Sequence, residues 1–530
     1  MFPVTLPEFI ELFSNPSVFF IGFIISCIIY NGWKTSYWYR NGIPGPKPLP
    51  LVGNVLDIMF KSSFENELDY VKRYGKIVGV YHGTQPNLLI ADPELIKQIT
   101  VKEFSSFPES FSFTYKTPVE EKFLSNLYGD EWKRVRSLLT PTFTTGKLKK
   151  VFELIANCTR ECIDNLDNNS KISNSKTSII DLKHFWGRYN MDVTARCFFA
   201  LDLKVYSDNP VALTAQAKFH KLFSSNKFTA LINMIAPEWF VKLTRSGFFS
   251  VEGLTYLSEL TQAIISVRKS KSIGPNGTEQ KFNDFLQLLV EAEEENEEKV
   301  KLEEDEDIAR SDNNNIERKR LTIDEIVSSA VIFLIAGYET TSTLLTWTTY
   351  ELARYPEVQE KLYEEIDSLD EINYETINKC VYLEAVINES LRLHPPVIQL
   401  PRKCHSDYII PGTDGAILPK GSRAFISIYA IHHNPENYPE PHIFKPERFL
   451  HENRDSIKPF TFLPFGAGPR LCIGMRFALI NAKLALVMFL KNHKLINNQF
   501  TTKKIDYTFH TGVLTAKTIN VGIERRLNST

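Results

Sequence analysis

The sequence predicts a mainly helical protein with small β-sheets, and three features of its pattern indicate this. Apolar residues recur with helical periodicity from about residue 120 to 395. Short strand-like runs at 77–81 and 87–91, with turn residues between them, precede that region. Short strand and turn segments follow Pro395, and a last helix is expected after Cys472. We therefore expect a helical body that is flanked in sequence by short strands.

Composition excludes several classes of protein. The chain carries 61 lysines and arginines against 63 acidic residues, which argues against a nucleic-acid-binding protein that relies on overall charge. Hydrophobic residues make up 43% and aromatic residues 12%, as in globular rather than disordered chains. The seven cysteines form no CxxC pair, so neither a disulfide framework nor a zinc ribbon is expected, and a reducing compartment fits best.

The N-terminal segment has the pattern of a membrane anchor. Residues 17–33 are strongly apolar and uncharged, close to the roughly 20 residues that a bilayer span needs. Lys34, Arg40 and Lys47 follow, whereas acidic residues precede the segment, and a small-residue cleavage site is lacking. We predict an uncleaved signal anchor at 1–33 rather than a cleaved signal peptide, with the bulk of the chain in the cytosol.

The rest of the chain divides into a linker and one domain. Residues 34–50 are rich in proline, which prevents helix continuation, so a stiff extended linker is expected. Length alone suggests roughly three or four domains. The motifs of one site are nevertheless spread over both halves of the chain, which predicts a single domain at 51–530. Within it, acidic residues and asparagines at 268–320 predict a mobile, solvated insert.

The strongest local signal is the loop at 465–474, which reads FGAGPRLCIG. Its glycines and proline make a turn that cannot be helical, and a helical pattern begins just after it, so Cys472 lies at a helix N-terminus. The positive end of the helix dipole favours a thiolate, which is a soft ligand for iron. Arg470 can pair with a carboxylate, and Phe465 can shield the sulfur from water. The alternative is a buried free cysteine in a glycine turn.

The loop matches all five fixed positions of F-x-x-G-x-R-x-C-x-G and so resembles the haem-binding signature of the cytochrome P450 family. The resemblance implies a cytochrome P450 fold, with haem b between a distal oxygen-binding helix and the proximal cysteine loop and helix. It also implies that Cys472 is the axial ligand of the iron. Some fatty-acid-hydroxylating relatives carry a glutamate that ester-links the haem. This chain has Ala336 there, which implies a non-covalently bound haem.

A second motif lies in a predicted long, buried helix at 326–345. The segment AGYETT begins at Ala336 and resembles the family pattern A-G-x-[DE]-T-T. The resemblance implies that Ala336 and Gly337 leave room for dioxygen, that Thr340 hydrogen-bonds it, and that Glu339 supplies protons. A glycine costs about 1 kcal/mol in a helix interior, and a buried glutamate needs a partner, so a functional site is favoured. The alternative is a glycine packed against another helix.

Two further motifs complete the resemblance. Glu389 and Arg392 share a helix face at i,i+3 and match the family's E-x-x-R. In the family this pair is buried and is completed by the arginine of P-E-R-F, here Arg448, so the resemblance gives the three residues a structural role in holding the cysteine loop.

The remaining residues concern the haem propionates. Trp132 and Arg136 form W-x-x-x-R, and both side chains can donate to carboxylates from one helix face. The resemblance makes them propionate partners, together with Arg470 and Arg402. An additional arginine that some relatives carry before this helix is lacking at 108–117.

The resemblance implies a haem-thiolate monooxygenase that inserts one atom of dioxygen into a lipophilic small molecule, such as a xenobiotic, a steroid or a fatty-acid-like compound. The chain looks most like the clan of broad-specificity detoxifying enzymes of the endoplasmic reticulum membrane, whose catalytic domain faces the cytosol. Electrons from NADPH are expected through a partner flavoprotein reductase, with cytochrome b5 as a further candidate donor. An oxygen-independent haem-thiolate isomerase or dehydratase, and a non-catalytic haem-based sensor, are the alternatives.

Two surfaces follow from this interpretation. An apolar substrate wall is expected from aromatic and aliphatic residues, namely Phe111, Phe113, 228–240, the predicted helix at 326–345, 396–400 and 511–514. An acidic reductase is expected to dock on the basic residues around Trp132, namely Lys133, Arg134, Lys147, Lys149 and Lys150. Solvated surface lysines are the alternative for the second group.

Overall fold

The computed structural model describes most of the chain. The described ranges are 16–57, 62–110, 117–169, 177–207, 238–244, 249–270, 284–290, 320–508 and 513–526, with scattered positions between 210 and 236.

Helices form most of the described structure, as the sequence predicts. They are numbered here in chain order: α1 Pro16–Thr35, α2 Tyr37–Arg40, α3 Ser63–Tyr74, α4 Pro93–Lys97, α5 Pro118–Glu121, α6 Gly129–Leu139, α7 Thr145–Asn169, α8 Leu182–Phe199, α9 Glu238–Thr244, α10 Val251–Ser270, α11 Ile323–Arg354, α12 Pro356–Asp367, α13 Tyr374–Lys379, α14 Val381–Leu393, α15 Ile428–His432 and α16 Met475–Asn492.

The strands form small sheets beside this body. They are β1 Ile77–His82, β2 Gln85–Ile90, β3 Ser178–Asp181, β4 Gln399–Lys403, β5 Tyr408–Ile409, β6 Ile417–Leu418, β7 Arg423–Ser427, β8 His493–Ile496 and β9 Asn520–Arg525. The four-stranded sheet has the order β1-β2-β7-β4, with β2 and β7 parallel and the other pairs antiparallel. A second sheet has the order β3-β9-β8, and β5 pairs with β6. Strand β3 falls inside the region for which the periodicity predicts helices, because four residues are too short to interrupt a helical pattern.

Helix α11 is the centre of the core. It begins at a capping box in which the Thr322 hydroxyl accepts from the Glu325 N–H, and its 32 residues give a length of about 48 Å. Helices α8, α10, α14 and α16 pack against it. By length and composition α11 would qualify as a membrane span. However, 78% of its most apolar 18-residue segment is buried inside the protein, so it is a core helix.

The start of the chain is more closely attached to the body than an extended linker would be. Within 34–50, the short helix Tyr37–Arg40 inserts Trp38 against strand β1, where its indole N–H donates to Val80 O at 3.3 Å. A Cβ on Gly79 would lie 2.4 Å from the Trp38 ring, so the ring can pack against β1 only because residue 79 has no side chain. Trp38 is 2% exposed, which makes this segment part of the folded domain.

Part of the region predicted as a mobile insert belongs to the core instead. Within 268–320, residues 284–290 are described and mostly buried, and Phe285 is 1% exposed. The carboxylate of Asp284 accepts two hydrogen bonds from the guanidinium of Arg268, each 2.8 Å long and buried. A short apolar segment at 284–290 therefore packs in the core, and the acidic composition of the neighbouring residues hides it in the sequence.

Candidate functional site

The cysteine loop is a compact turn held by its own backbone. The Cys472 N–H donates to Phe465 O at 3.0 Å, and Gly468–Arg470 forms a single 3-10 turn. Gly466 has φ +79° and Gly468 has φ +71°, values that favour glycine over residues with a side chain. These two glycines let the chain double back, so that Cys472 is presented just before α16.

Gly468 also lies too close to another segment for any side chain. A Cβ at this position would lie 2.0 Å from Thr100 O, which is main chain and cannot move aside cheaply. We expect Gly468→Ala to destabilise the protein by at least the roughly 1–3 kcal/mol of a non-glycine residue at positive φ, with the clash in addition. Thermal unfolding measures this. Gly146→Ala, in helix α7 at a position where a Cβ meets no described atom within 4 Å, is the control, and it should leave the unfolding temperature unchanged or raise it slightly, because alanine favours a helix.

The Cys472 thiol lies deep in the protein, yet its surface is accessible. Burial raises the pKa of the thiol, while the backbone N–H groups of Gly474 and Met475 and the charge of Arg136 act to lower that pKa. The helix N-terminus therefore acts in the direction that the sequence predicts. Burial outweighs it in the protein chain alone, because a thiolate loses its hydration there.

Helix α11 has one accessible stripe. Over 325–353, all of which the structure describes, the residues that are not buried are Ile332, Ala336, Gly337 and Thr340. Three of them follow the i, i+4, i+8 spacing of one helix face. The Thr340 hydroxyl donates to Ala336 O at 2.7 Å within this stripe, a bond that tends to bend a helix. The motif AGYETT therefore contributes the accessible part of an otherwise buried helix.

Gly337 serves helix packing. A Cβ on it would point at helix α8, 3.2 Å from Thr194 Cγ2 and 3.6 Å from Phe198 Cε2. This direction agrees with the alternative expectation of a glycine packed against another helix, and it cannot be read from a sequence. That Gly337 also leaves room for dioxygen on the accessible side stays a prediction.

Glu339 faces helix α8 as well. Its Oε1 accepts from Lys183 Nζ at 2.6 Å, and both side chains are largely buried. Glu339 thus has the partner that a buried carboxylate requires. Lys183 was not singled out in the sequence, since one lysine near a helix start carries no pattern that marks it.

Three of the predicted propionate residues lie where helix α6 meets the cysteine loop. The Arg470 guanidinium lies over the Trp132 ring, 4.6 Å from its centroid, and donates to main-chain carbonyl oxygens at Pro108 and Leu127. Arg136, on the same helix as Trp132, donates to the carbonyl of the residue before Cys472 at 2.8 Å. Helix α6 and the cysteine loop are therefore joined through cationic side chains.

Arg402 adds a further buried cation. It lies on β4 and donates from Nη1 to Ser110 Oγ at 3.2 Å. Burial lowers the pKa of Arg402 to about 10, and burial together with the charges of Arg402 and Arg136 lowers the pKa of Arg470 to about 9, against the opposite effect of Glu109. Among the described residues, neither Nε of Arg402 nor Nε of Arg470 has a hydrogen-bond partner, although both atoms are buried.

This arrangement fits an anionic group. Buried cations with unused donors are unfavourable unless an anion compensates them. The two propionate carboxylates of a haem b would supply negative charge beside the cysteine loop. They would also supply hydrogen-bond acceptors for the guanidinium groups. The residues present therefore fit the cofactor that the resemblance implies.

The E-x-x-R pair and its third member are brought together in the core. The Arg392 guanidinium donates to both oxygens of Glu389, at 2.7 and 2.8 Å, and both side chains are fully buried. Arg448 Nε lies 3.4 Å from Glu389 Oε1. Arg392 also donates to the carbonyls of His432 and Pro441, at 3.0 and 2.9 Å. The cluster thus joins α14 to the chain that leads into the cysteine loop.

The predicted reductase surface is less basic than its sequence indicates. Arg134 is partly buried, is ion-paired with Glu325 of α11 and donates to Arg320 O, so its charge is compensated within the fold. Lys149 is ion-paired with Glu375. These partners are distant in sequence, which is why the charge pattern alone overstates the cluster.

The predicted substrate wall is only partly described. Phe111, Phe113 and six of the thirteen residues at 228–240 lie outside the described residues. Leu514 is described, and its N–H donates to Pro396 O at 3.0 Å, so two predicted wall segments adjoin each other.

Comparison with known proteins gives consistent matches. A family model described as Cytochrome P450 matches residues 43–522. Cytochrome P450 3A40 from Oryzias latipes is 34% identical over 485 residues, which cover 89% of each chain. Cytochrome P450 3A5 from Homo sapiens is 36% identical over 475 residues, and Cytochrome P450 3A13 from Mus musculus is 37% identical over 480 residues, each covering 88% of both chains.

Proposed function

This chain belongs to the cytochrome P450 family, and from that premise we propose how its residues serve the reaction. The protein is a monooxygenase that inserts one atom of dioxygen into a lipophilic small molecule. It receives electrons from NADPH through a partner flavoprotein reductase, with cytochrome b5 as a further candidate donor. Haem b, held non-covalently through an axial cysteine thiolate, supplies the iron centre at which dioxygen is activated.

We assign Cys472 as that thiolate. It lies at the N-terminus of α16 and is accessible although it lies deep in the body. A metal centre binds the deprotonated sulfur, so coordination would offset the raised pKa of the thiol. Phe465 holds the backbone of Cys472 through its carbonyl, and its partly buried ring packs on the core.

The haem-binding proposal rests mainly on one observation, the buried guanidinium groups beside the cysteine loop. Arg402 and Arg470 each have a buried Nε without a partner among the described residues, and Arg136 contributes charge beside them. We propose that these three side chains, with Trp132, bind the two propionates. The anions would then satisfy the buried donors and neutralise their charge.

On helix α11, Thr340 and Glu339 have separate tasks. Thr340 lies on the accessible stripe of α11, and we assign its hydroxyl to hydrogen bonding at the oxygen site. We assign Glu339 to proton supply. Because its carboxylate is held by Lys183 Nζ, that ion pair has to open before Glu339 Oε1 can take up and pass on a proton.

We propose that α1 anchors the enzyme in the endoplasmic reticulum membrane with the body in the cytosol. The helix is about 30 Å long, and most of its described apolar side chains are exposed. Trp33 near its end has Arg40 stacked 4.9 Å from its ring, as expected for residues at a membrane interface. Lys34 follows, in agreement with a cytosolic exit.

The test uses the purified full-length protein. We expect a ferrous carbon monoxide spectrum typical of thiolate-ligated haem. With a reductase and NADPH, we expect oxygenated products from a library of lipophilic xenobiotics and steroids. Product formation that needs neither reductase nor dioxygen would support an isomerase or dehydratase instead, and ligand binding without any product would support a sensor.

Arg402 offers a test of the propionate assignment. We expect Arg402→Gln to release haem about tenfold faster or more, because a hydrogen bond to a charged group contributes about 1.5–3 kcal/mol and each 1.4 kcal/mol is roughly a factor of ten. Haem transfer to a scavenging apoprotein measures the rate. Lys420→Gln, an exposed change near the same sheet, is the control. Equal release rates in both variants would contradict the assignment.

A further inference from the structure

A side-chain amide on helix α8 hydrogen-bonds the turn of α11 that carries AGYETT. Asn190 lies in the middle of α8 and is fully buried. Its Nδ2 donates to Gly337 O at 2.7 Å and to Tyr338 O at 2.6 Å. These two carbonyls lie between Ala336 and Thr340, so Asn190 bridges successive peptide groups of the accessible turn.

The other end of the same amide reaches the helix that follows the cysteine loop. Asn190 Oδ1 accepts from Asn481 Nδ2 at 3.0 Å, and Asn481 Oδ1 accepts from the Tyr189 hydroxyl at 2.6 Å. Main-chain carbonyls can only accept, so Nδ2 of Asn190 must face α11 and its Oδ1 must face Asn481. Because Asn481 lies on α16, a fixed polar chain joins the helix that starts after Cys472 to the turn 336–340.

This turn of α11 combines two features that weaken a helix. Gly337 lowers helix stability, and the Thr340 hydroxyl competes for the Ala336 carbonyl. The same glycine lets α8 approach closely enough for Asn190 to reach both carbonyls, since a Cβ there would lie 3.2 Å from Thr194 Cγ2. Gly337 and Asn190 are thus complementary parts of one contact.

We propose that Asn190, supported by Asn481, is a positioning residue that fixes the turn 336–340 relative to the cysteine loop. This inference rests on the proposed monooxygenase function. Fully satisfied buried amide networks rigidify the segments that they join. With the amide in place, the Thr340 hydroxyl stays at one position. Electrons delivered to the enzyme are then used to form product rather than hydrogen peroxide.

The test compares Asn190→Leu and Asn190→Ser with the wild-type holoenzyme. The first removes both donors, and the second leaves a shorter single donor. We expect product formed per NADPH consumed to fall about threefold or more with a matching rise in peroxide, because small displacements of a catalytic group have large effects on rate. Hydrogen–deuterium exchange of the holoenzyme should accelerate over 336–345, while haem content and KM stay near wild type.

Thr349→Val is the matched control. It removes a different buried hydrogen bond between the same two helices, from Trp186 Nε1 to Thr349 Oγ1 at 3.0 Å, about three turns along α11. It should leave the product formed per NADPH consumed unchanged. An equal yield of product per NADPH in the Asn190 and Thr349 variants would overturn the proposal. So would failure of both Asn190 variants to fold while Thr349→Val folds, since the amide would then serve global stability. Absence of product from the wild type would instead contradict the proposed function.

Discussion

Replacing Cys472 with alanine is expected to abolish monooxygenation completely while the fold is retained. The substitution removes only a sulfur atom whose surface is accessible, so no packed cavity is created. The backbone bond from residue 472 to Phe465 O and the positive-φ glycines of the loop remain. We therefore expect unfolding of the haem-free protein to change by less than about 0.5 kcal/mol. The ferrous carbon monoxide spectrum should lose its thiolate signature, and product should disappear.

Cys380 provides the control for this experiment. It is buried, 3% exposed, and lies between α13 and α14 away from the loop. Cys380→Ala should cost stability, as core truncations do, and should leave the spectrum and the products as in the wild type. If Cys472→Ala retained haem with an unchanged spectrum, the assignment of the axial ligand would be wrong.

Local features of the site could be predicted from the sequence because local geometry determines them. The glycines at 466 and 468 specify the turn before Cys472, and the i,i+3 spacing of Glu389 and Arg392 places both on one helix face. Arg448 lies 59 residues from Glu389, and only the family resemblance connected the two. The mainly helical fold with small sheets is confirmed for the same reason, since periodicity reports local structure.

Long-range contacts between helices could not be predicted. Asn190 is 147 residues away from the Gly337 carbonyl that it binds, and Lys183 is 156 residues away from Glu339. Helix α8 buries residues around most of its circumference, polar ones included, so its sequence has no clear apolar face from which to orient it. The partners of Gly337 and Glu339 follow from how α8 and α11 pack, so they could not be assigned from the sequence.

Loss of the Glu389 carboxylate should have the largest effect on stability. Glu389→Ala leaves the guanidinium of Arg392 fully buried and removes the charge that Arg448 also faces. It also leaves the Lys445 N–H, which donates to Glu389 Oε1 at 2.9 Å, without that acceptor. Removing one partner of a buried ion pair costs about 3–5 kcal/mol, because the remaining charge is uncompensated. Chemical denaturation measures this, and we expect haem incorporation during expression to fall with it.

A half-exposed ion pair near the same helices separates this effect from a general loss of charge. Arg526 pairs with Asp367 at the end of α12 at 2.6 Å, and the aspartate is 49% exposed. Asp367→Ala should cost less than about 1 kcal/mol, since solvent screens such pairs. In the double variant Glu389→Leu/Arg392→Leu, no charge of the pair remains buried, and part of the stability lost in Glu389→Ala should return. Equal losses for Glu389→Ala and Asp367→Ala would contradict the large contribution of the buried cluster to stability.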